Sequence, residues 1–194
     1  MTTLSRRPSH LKWHPGSKLA PWLCGSLLAG AACSNDRDST AVSDCNRACP
    51  NVDTTDLSTP PTSFETDVFA IFAQSCNEQL CHGNALGARA GLYLGPIQGA
   101  STTDLQTVYN GLLGPSQTAP ALFLVQPGAP AQSFLMHKID ACQNSLDVAC
   151  AAEPNQCRQD CGDPMPPLPR DTYAELSEAQ KLVIRRWIAQ GAPP

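Results

Sequence analysis

Apolar side chains recur at intervals of three and four residues in several stretches of this sequence, which is the spacing of one face of an α-helix. The first stretch predicts a helix over about residues 63–75, started by a capping box of Thr62 and Glu65. Its apolar face consists of Phe64, Val68, Ile71 and Phe72.

Two further helices are predicted in the middle of the chain. One begins after Ser101 or Thr102, either of which can cap a helix, and its apolar stripe is Leu105, Val108, Tyr109 and Leu112. A shorter helix, from about Ala131 to Ile139, follows an extended piece and a Pro-Gly turn. On this helix we expect Met136 in the core and His137 at the surface.

The last helix has the clearest start and end signals. Ser177 and Gln180 fit a capping box, and Gly191 stands where a glycine commonly ends a helix. The apolar residues of this helix are Ala179, Leu182, Val183, Trp187 and Ile188. Because no convincing pair of strands accompanies these helices, the predicted class is all-α, with the first and last helices packed on each other.

The N-terminal 32 residues have the pattern of an export signal peptide. Four basic residues and no acidic ones precede an apolar run that starts at Leu19 and is interrupted by Pro21. The run is shorter than the roughly 20 residues that cross a bilayer as a helix. It ends in "AGAACSN", which resembles the lipobox of bacterial lipoproteins and implies a lipid on Cys33; the alternative is an ordinary signal peptide cut near Ala32.

Composition divides the remaining chain into a tether and a domain. Residues 33–62 are rich in Ser, Thr, Asp, Asn and Pro, which predicts a disordered tether, and residues 63–194 form the folded domain. Without the first 32 residues, nine Lys and Arg face seventeen Asp and Glu, a net charge of −8. This acidity disfavours nucleic acid and anionic membrane surfaces as partners, and it permits a basic protein partner.

Ten cysteines are typical of a chain exported to an oxidising compartment. Cys24 belongs to the signal peptide, and Cys33 is the lipid candidate. The candidates for disulfide bonds are Cys45, Cys49, Cys142, Cys150, Cys157 and Cys161. The polar insert between Cys142 and Cys161 buries too little apolar surface to be stable alone, so we predict a loop stapled by disulfides. Zinc is disfavoured, because thiolate ligands would have to survive oxidation.

The stretch "SCNEQLCHGN" contains Cys76, Cys81 and His82 and allows two interpretations. Two thiols followed at once by a histidine suit covalent attachment of haem c, although four residues separate the cysteines instead of the usual two. The extra residues can loop outward without moving His82. The alternative is a Cys76–Cys81 disulfide beside an exposed histidine.

A candidate for the sixth iron ligand lies in "DPMPPLP", residues 163–169. A methionine thioether is a common partner of histidine on electron-transfer haems, and the prolines beside Met165 would hold its backbone extended. The second choice for this ligand is His137. In either case the protein would attach the haem and set its potential, and a partner would receive the electron.

The order of these motifs resembles that of exported cytochrome c-like domains of planctomycete and myxobacterial type. The resemblance covers residues 64–194 and rests on "FAIFAQSCNEQLCHG", "AGLYL", "LVQPGAPAQSFLMHKI", "MPP" and "LSEAQKLVIRRWIAQGAPP". It implies a small helical cytochrome c-like domain that binds one covalent haem c. By resemblance, Cys76 and Cys81 would be the thioether cysteines, His82 the proximal ligand and Met165 the distal ligand. The disulfide-stapled insert departs from the family's pattern.

The function expected from the sequence is single-electron transfer by a monomeric lipoprotein with one haem, in the periplasm or at the outer membrane or cell surface. Its partner would be another redox protein, and contact with a membrane would be made only through the lipid. The alternative is a haem-free, disulfide-stapled cell-surface binding lipoprotein. We do not expect an enzyme, although a haem with an open distal side could react with peroxide.

Overall fold

The computed structural model describes residues 47–96, 98–151, 161–167 and 175–194. Within these ranges the regular elements are helices and no strand is present, which confirms the helical class; one isolated bridge joins Pro115 to Phe123. The α-helices are α1 (Phe69–Ser75), α2 (Thr102–Leu112), α3 (Phe134–Ile139) and α4 (Glu178–Ala189). A π-helical segment, Phe64–Val68, leads into α1, and short 3-10 helices span Arg89–Gly91, Pro130–Gln132 and Gln143–Ser145.

The helix ends follow the sequence signals closely. Ser101 and Asp104 cap α2 reciprocally, and Ser177 and Gln180 cap α4 in the same way, which confirms both predicted starts. Gly191 follows α4 at a φ of +91°, a left-handed conformation that glycine adopts without steric cost. Local side chains therefore determine where these two helices begin and where α4 ends.

The first predicted helix starts one residue later than expected. Ser63, and not Thr62, is its N-cap: the Ser63 hydroxyl accepts a hydrogen bond from the Thr66 amide, and the Ser63 amide donates to Asp67 at 2.8 Å. The Thr62 amide instead donates to the side chain of Gln190 at 2.9 Å. A tertiary contact has taken the place of the predicted capping box.

Aromatic rings at the centre of the domain join the first and last helices. The Phe64 ring lies 5.5 Å from the Trp187 ring and 5.4 Å from the Tyr109 ring, centroid to centroid. The Tyr109 hydroxyl donates to the Ala192 carbonyl at 3.0 Å. These contacts confirm that the first and last helices pack on each other, and they add α2 to the same core.

The buried face of α4 differs from the prediction. Ala179 and Leu182 are exposed, Leu182 at 37%, whereas Ile184 is fully buried with Trp187 and Ile188. Two basic residues, Lys181 and Arg185, share the buried face because carboxylates neutralise them. Arg185 contacts Asp140 at 2.5 Å, and Lys181 contacts Glu178 at 3.0 Å and Glu175 at 3.4 Å.

The described part of the predicted tether, residues 47–62, has no regular secondary structure, yet it is attached to the domain. Leu57 is buried at 5% exposure. The Gln190 side-chain amide donates to the carbonyls of Leu57, Ser58 and Pro60. Packing of the domain thus begins before residue 63, and residues 33–46 of the predicted tether lie outside the described ranges.

One disulfide joins the tether to the domain, and another closes a loop within the insert. Cys49 is bonded to Cys142, which follows α3, and Cys150 is bonded to Cys161 within the insert. The second bond confirms the stapled loop. The other two disulfide candidates, Cys45 and Cys157, lie outside the described residues, as do Cys33 and the predicted signal peptide.

Candidate functional site

The loop that joins Cys76 to Cys81 starts at the end of α1. The Cys76 amide donates to the Phe72 carbonyl at 2.8 Å and so ends the helix. The next turn closes on Glu78, whose carbonyl accepts from the amides of Cys81 and Gly83, both at 2.9 Å. Glu78, Gln79 and Leu80 are exposed, so the longer gap between the cysteines bulges toward solvent.

A close backbone approach fixes the base of this loop. Asn77 is buried, and its side-chain amide donates to the Pro96 carbonyl at 2.5 Å. A Cβ atom on Gly83 would lie 1.9 Å from the Asn77 carbonyl oxygen, so only glycine fits at this position. Packing of Gly83 against Asn77 therefore fixes the position that follows His82.

Cys76 and Cys81 are both free thiols, so the Cys76–Cys81 disulfide considered from the sequence does not form in this structure. Burial raises the pKa of the Cys76 thiol to about 12. Burial also raises the pKa of Cys81, and the neighbouring Glu78 carboxylate adds to this effect. Both side chains are partly accessible. Among the described cysteines, the remaining four are paired in the two disulfides.

His82 is buried at 6% exposure, contrary to the exposed histidine that the disulfide alternative required. Its Nδ1 lies 2.7 Å from the Leu92 carbonyl oxygen. Because a carbonyl only accepts hydrogen bonds, Nδ1 holds the proton, and the Nε2 lone pair is left to bind a metal. Burial lowers the pKa of His82, and the positive charges of Lys138 and Arg89 lower it further.

Met165 is half-buried at the edge of the main apolar core, between the buried Pro164 and Pro166. Its amide donates to the carbonyl of Lys138 at 2.9 Å. The Lys138 ammonium in turn donates to the Cys161 carbonyl at 3.1 Å and to the Asp163 carbonyl. These hydrogen bonds fasten the methionine segment to α3.

Lys138 also relates this segment to the histidine. Burial lowers the pKa of Lys138 to about 8. Its charge acts on the pKa of His82, so Lys138 lies within electrostatic range of that ring. The backbone amide of Met165 is thus hydrogen-bonded to a residue whose charge contributes to the pKa of His82.

His137 is not at the surface, as the sequence had suggested. It is buried at 9% exposure, and its Nδ1 lies 3.3 Å from the sulfur of Cys49 and 3.5 Å from that of Cys142. Its Nε2 lies 3.1 Å from the Ala131 carbonyl oxygen. The spacing of the motifs could not reveal this environment, because Cys49 precedes Cys142 by 93 residues.

Comparisons with known proteins give no match to any family model, curated protein or solved structure. The resemblance to cytochrome c-like domains therefore stays a prediction from the motifs. In the part of the chain that the structure describes, no helix is both long enough and apolar enough to cross a membrane.

Proposed function

We propose that this chain is an exported electron-transfer protein with one covalent haem c. Cys76 and Cys81 would form the thioethers, His82 would be the proximal ligand and Met165 the distal one. The observation that carries the proposal is the state of Cys76, Cys81 and His82. In a domain whose other described cysteines are paired, two free thiols flank an exposed loop beside a histidine held through Nδ1.

The donor set fits this cofactor. Haem c attachment uses two thiols and one imidazole nitrogen, and neither thiol here is part of a disulfide. The Leu92 carbonyl fixes the tautomer that leaves Nε2 available, as backbone carbonyls commonly do for histidines that bind metals. A thioether from Met165 would complete the usual axial pair of a cytochrome c.

The haem would supply the one-electron couple of its iron. The chain's own residues would position it: the end of α1 fixes the start of the loop, and the close approach of Gly83 to Asn77 fixes its base. The hydrogen bonds between Met165, Lys138 and Cys161 fasten the segment from which Met165 would supply its thioether. No paired carboxylates or hydroxyl nucleophile is needed, because electron transfer makes and breaks no substrate bond.

Export and surface location belong to the same proposal. The signal pattern and the cysteine-rich composition support a periplasmic or cell-surface protein, anchored through lipid on Cys33. The net charge of −8 after removal of the signal supports a basic redox protein as partner and disfavours nucleic acid.

The proposal is tested by producing the full chain in a bacterial host with a cytochrome c maturation system. After acid-acetone extraction, we expect a pyridine haemochrome spectrum of haem c in the wild type. The Cys76→Ser/Cys81→Ser variant should give none, whereas a Cys150→Ser/Cys161→Ser variant should keep it. Absence of covalent haem in the wild type, while a cytochrome with the two-residue gap matures in the same host, would favour the haem-free binding protein.

A further inference from the structure

A second group of two cysteines and one histidine shares no residue with Cys76, Cys81, His82 and Met165. The ligand atoms of Cys49, His137 and Cys142 all lie within 4.8 Å of one another. The two sulfurs form a disulfide, and the His137 Nδ1 faces both of them. The hydroxyl of Ser145 is also close, 3.5 Å from the sulfur of Cys49.

The orientation of the imidazole suits a ligand. Nε2 of His137 is 3.1 Å from the Ala131 carbonyl, which only accepts, so Nε2 holds the proton and donates it. The Nδ1 lone pair therefore points at the two sulfurs. A histidine whose far nitrogen is held by a backbone carbonyl is the usual arrangement in metal sites, where it fixes the ring and its tautomer.

The distances match those of a tetrahedral site. With zinc–sulfur bonds of about 2.3 Å and zinc–nitrogen bonds of about 2.0–2.1 Å, sulfur and nitrogen ligands are separated by about 3.5 Å and two sulfurs by about 3.8 Å. The two sulfur–nitrogen separations here are 3.3 and 3.5 Å. After reduction the two sulfurs are no longer bonded to each other and can separate to the spacing of two metal-bound thiolates.

We propose that reduction of the Cys49–Cys142 disulfide creates a Cys2His site for a thiophilic divalent cation of the Zn²⁺ type. A dithiol reductant supplies two electrons and two protons, leaves as its own disulfide and gives two cysteine thiols. Binding the cation then releases both thiol protons and forms two metal–sulfur bonds and one bond to Nδ1 of His137. Water or the hydroxyl of Ser145 takes the fourth position.

The surroundings of the disulfide allow this conversion. Cys49 is exposed, so a reductant can attack its sulfur, while Cys142 and His137 are buried and hold their positions in the domain. A bound cation would link residue 49 to residue 142, as the disulfide does. The N-terminal segment would thus stay attached to the domain under both oxidising and reducing conditions.

The test uses Co²⁺ as a coloured substitute for Zn²⁺ on the full-length protein. Any unmodified Cys76 and Cys81 are first capped with N-ethylmaleimide; the protein is then reduced with a dithiol, which is removed without air. We expect a near-ultraviolet thiolate-to-cobalt band with one Co²⁺ per chain, absent before reduction. The Cys49→Ser variant should lose the band, and His137→Gln should weaken Co²⁺ binding at least tenfold. The Cys150→Ser/Cys161→Ser variant should retain both the band and the wild-type affinity for Co²⁺.

Alkylation of the reduced wild type tests the same site without any substitution. In the reduced wild type, Zn²⁺ should protect Cys49 and Cys142, and not Cys150 and Cys161, from alkylation measured by peptide mass. The proposal is overturned if the reduced protein gives no thiolate–cobalt band, if the band persists in Cys49→Ser, or if Zn²⁺ fails to protect Cys49 and Cys142.

Discussion

Two regions of this domain contain the same residue types and arrange them in opposite ways. In the loop that ends at His82, the cysteines are close in sequence, their thiols are free, and the ring is held through Nδ1, which leaves Nε2 available. Around His137, the cysteines are 93 residues apart, their sulfurs are bonded to each other, and the ring is held through Nε2.

The difference shows that the chemistry of a cysteine–histidine group depends on which carbonyl holds the ring and on whether the sulfurs meet. The Leu92 carbonyl accepts from Nδ1 of His82, which leaves Nε2 available. The Ala131 carbonyl accepts from Nε2 of His137, which leaves Nδ1 available. Each region contains two cysteines and one histidine, but the two regions differ in which ring nitrogen a backbone carbonyl holds.

The largest effect on stability is expected from loss of the Cys49–Cys142 disulfide. Replacing Cys49 by Ser removes a cross-link that closes a loop of more than 90 residues, and we expect the free energy of unfolding to fall by about 2–5 kcal/mol. Urea unfolding in oxidising buffer measures this change. Cys81→Ser is the matched variant and should change stability much less, provided that both variants are produced without the cytochrome c maturation system, so that Cys81 is a partly exposed free thiol. Equal losses in the two variants would remove the distinction between the regions.

The free-thiol loop should depend on glycine at one position only. Gly83→Ala places a Cβ against the Asn77 carbonyl oxygen, 1.9 Å away, and should destabilise the domain by about 1–3 kcal/mol or more. Gly87→Ala is the control, because its Cβ would meet nothing closer than an Asn84 side-chain atom at 3.6 Å. If the two variants unfold at the same urea concentration, the close approach does not hold the loop.

The proposed iron ligation can be examined through the reduction potential. Met165→His should lower the potential of the attached haem, because a methionine ligand raises it relative to a histidine. Met136→Leu is the control: Met136 is buried in the core, so we expect a small stability change and no shift in potential. A potential that is unchanged in Met165→His would exclude Met165 as the distal ligand.

The smallest expected effect distinguishes the two capping boxes. Hydrogen bonds from Ser101 and Tyr93 lower the pKa of Asp104, whereas Gln180 at the equivalent position of α4 does not titrate. A carboxyl whose pKa is lowered on folding stabilises the protein at pH values above its unfolded-state pKa. This contribution disappears as the pH falls through its folded-state pKa. Asp104→Asn should therefore be less stable than wild type near neutral pH, with the difference shrinking below about pH 4. A difference that is constant with pH would contradict the assignment.

Local signals in the sequence predicted much of the fold. The capping residues of α2 and α4 and the apolar stripe of the first helix were correct because a helix start depends on residues three or four apart. The same signals were insufficient at Thr62, whose amide donates a hydrogen bond to the side chain of Gln190 near the C-terminal end of the chain. They were also insufficient on α4, where the contact with Asp140 buries Arg185.

The two cysteine regions differ in how far the sequence could describe them. Cys76, Cys81 and His82 form one continuous motif, so their proximity was predictable, although the free state of the thiols was not. The environment of His137 was missed because it depends on a disulfide between distant segments and pairing cannot be deduced from cysteine spacing. Ten cysteines with few histidines were the available signal that such a cluster could form.

The most direct test of haem attachment at Cys76 and Cys81 is peptide mass mapping of the full chain after export from a host that matures cytochromes c. We expect a single peptide containing Cys76, Cys81 and His82 that carries one covalent haem, with Cys49 and Cys142 recovered as a disulfide-linked pair. Recovery of Cys76 and Cys81 bonded to each other or unmodified would contradict this expectation.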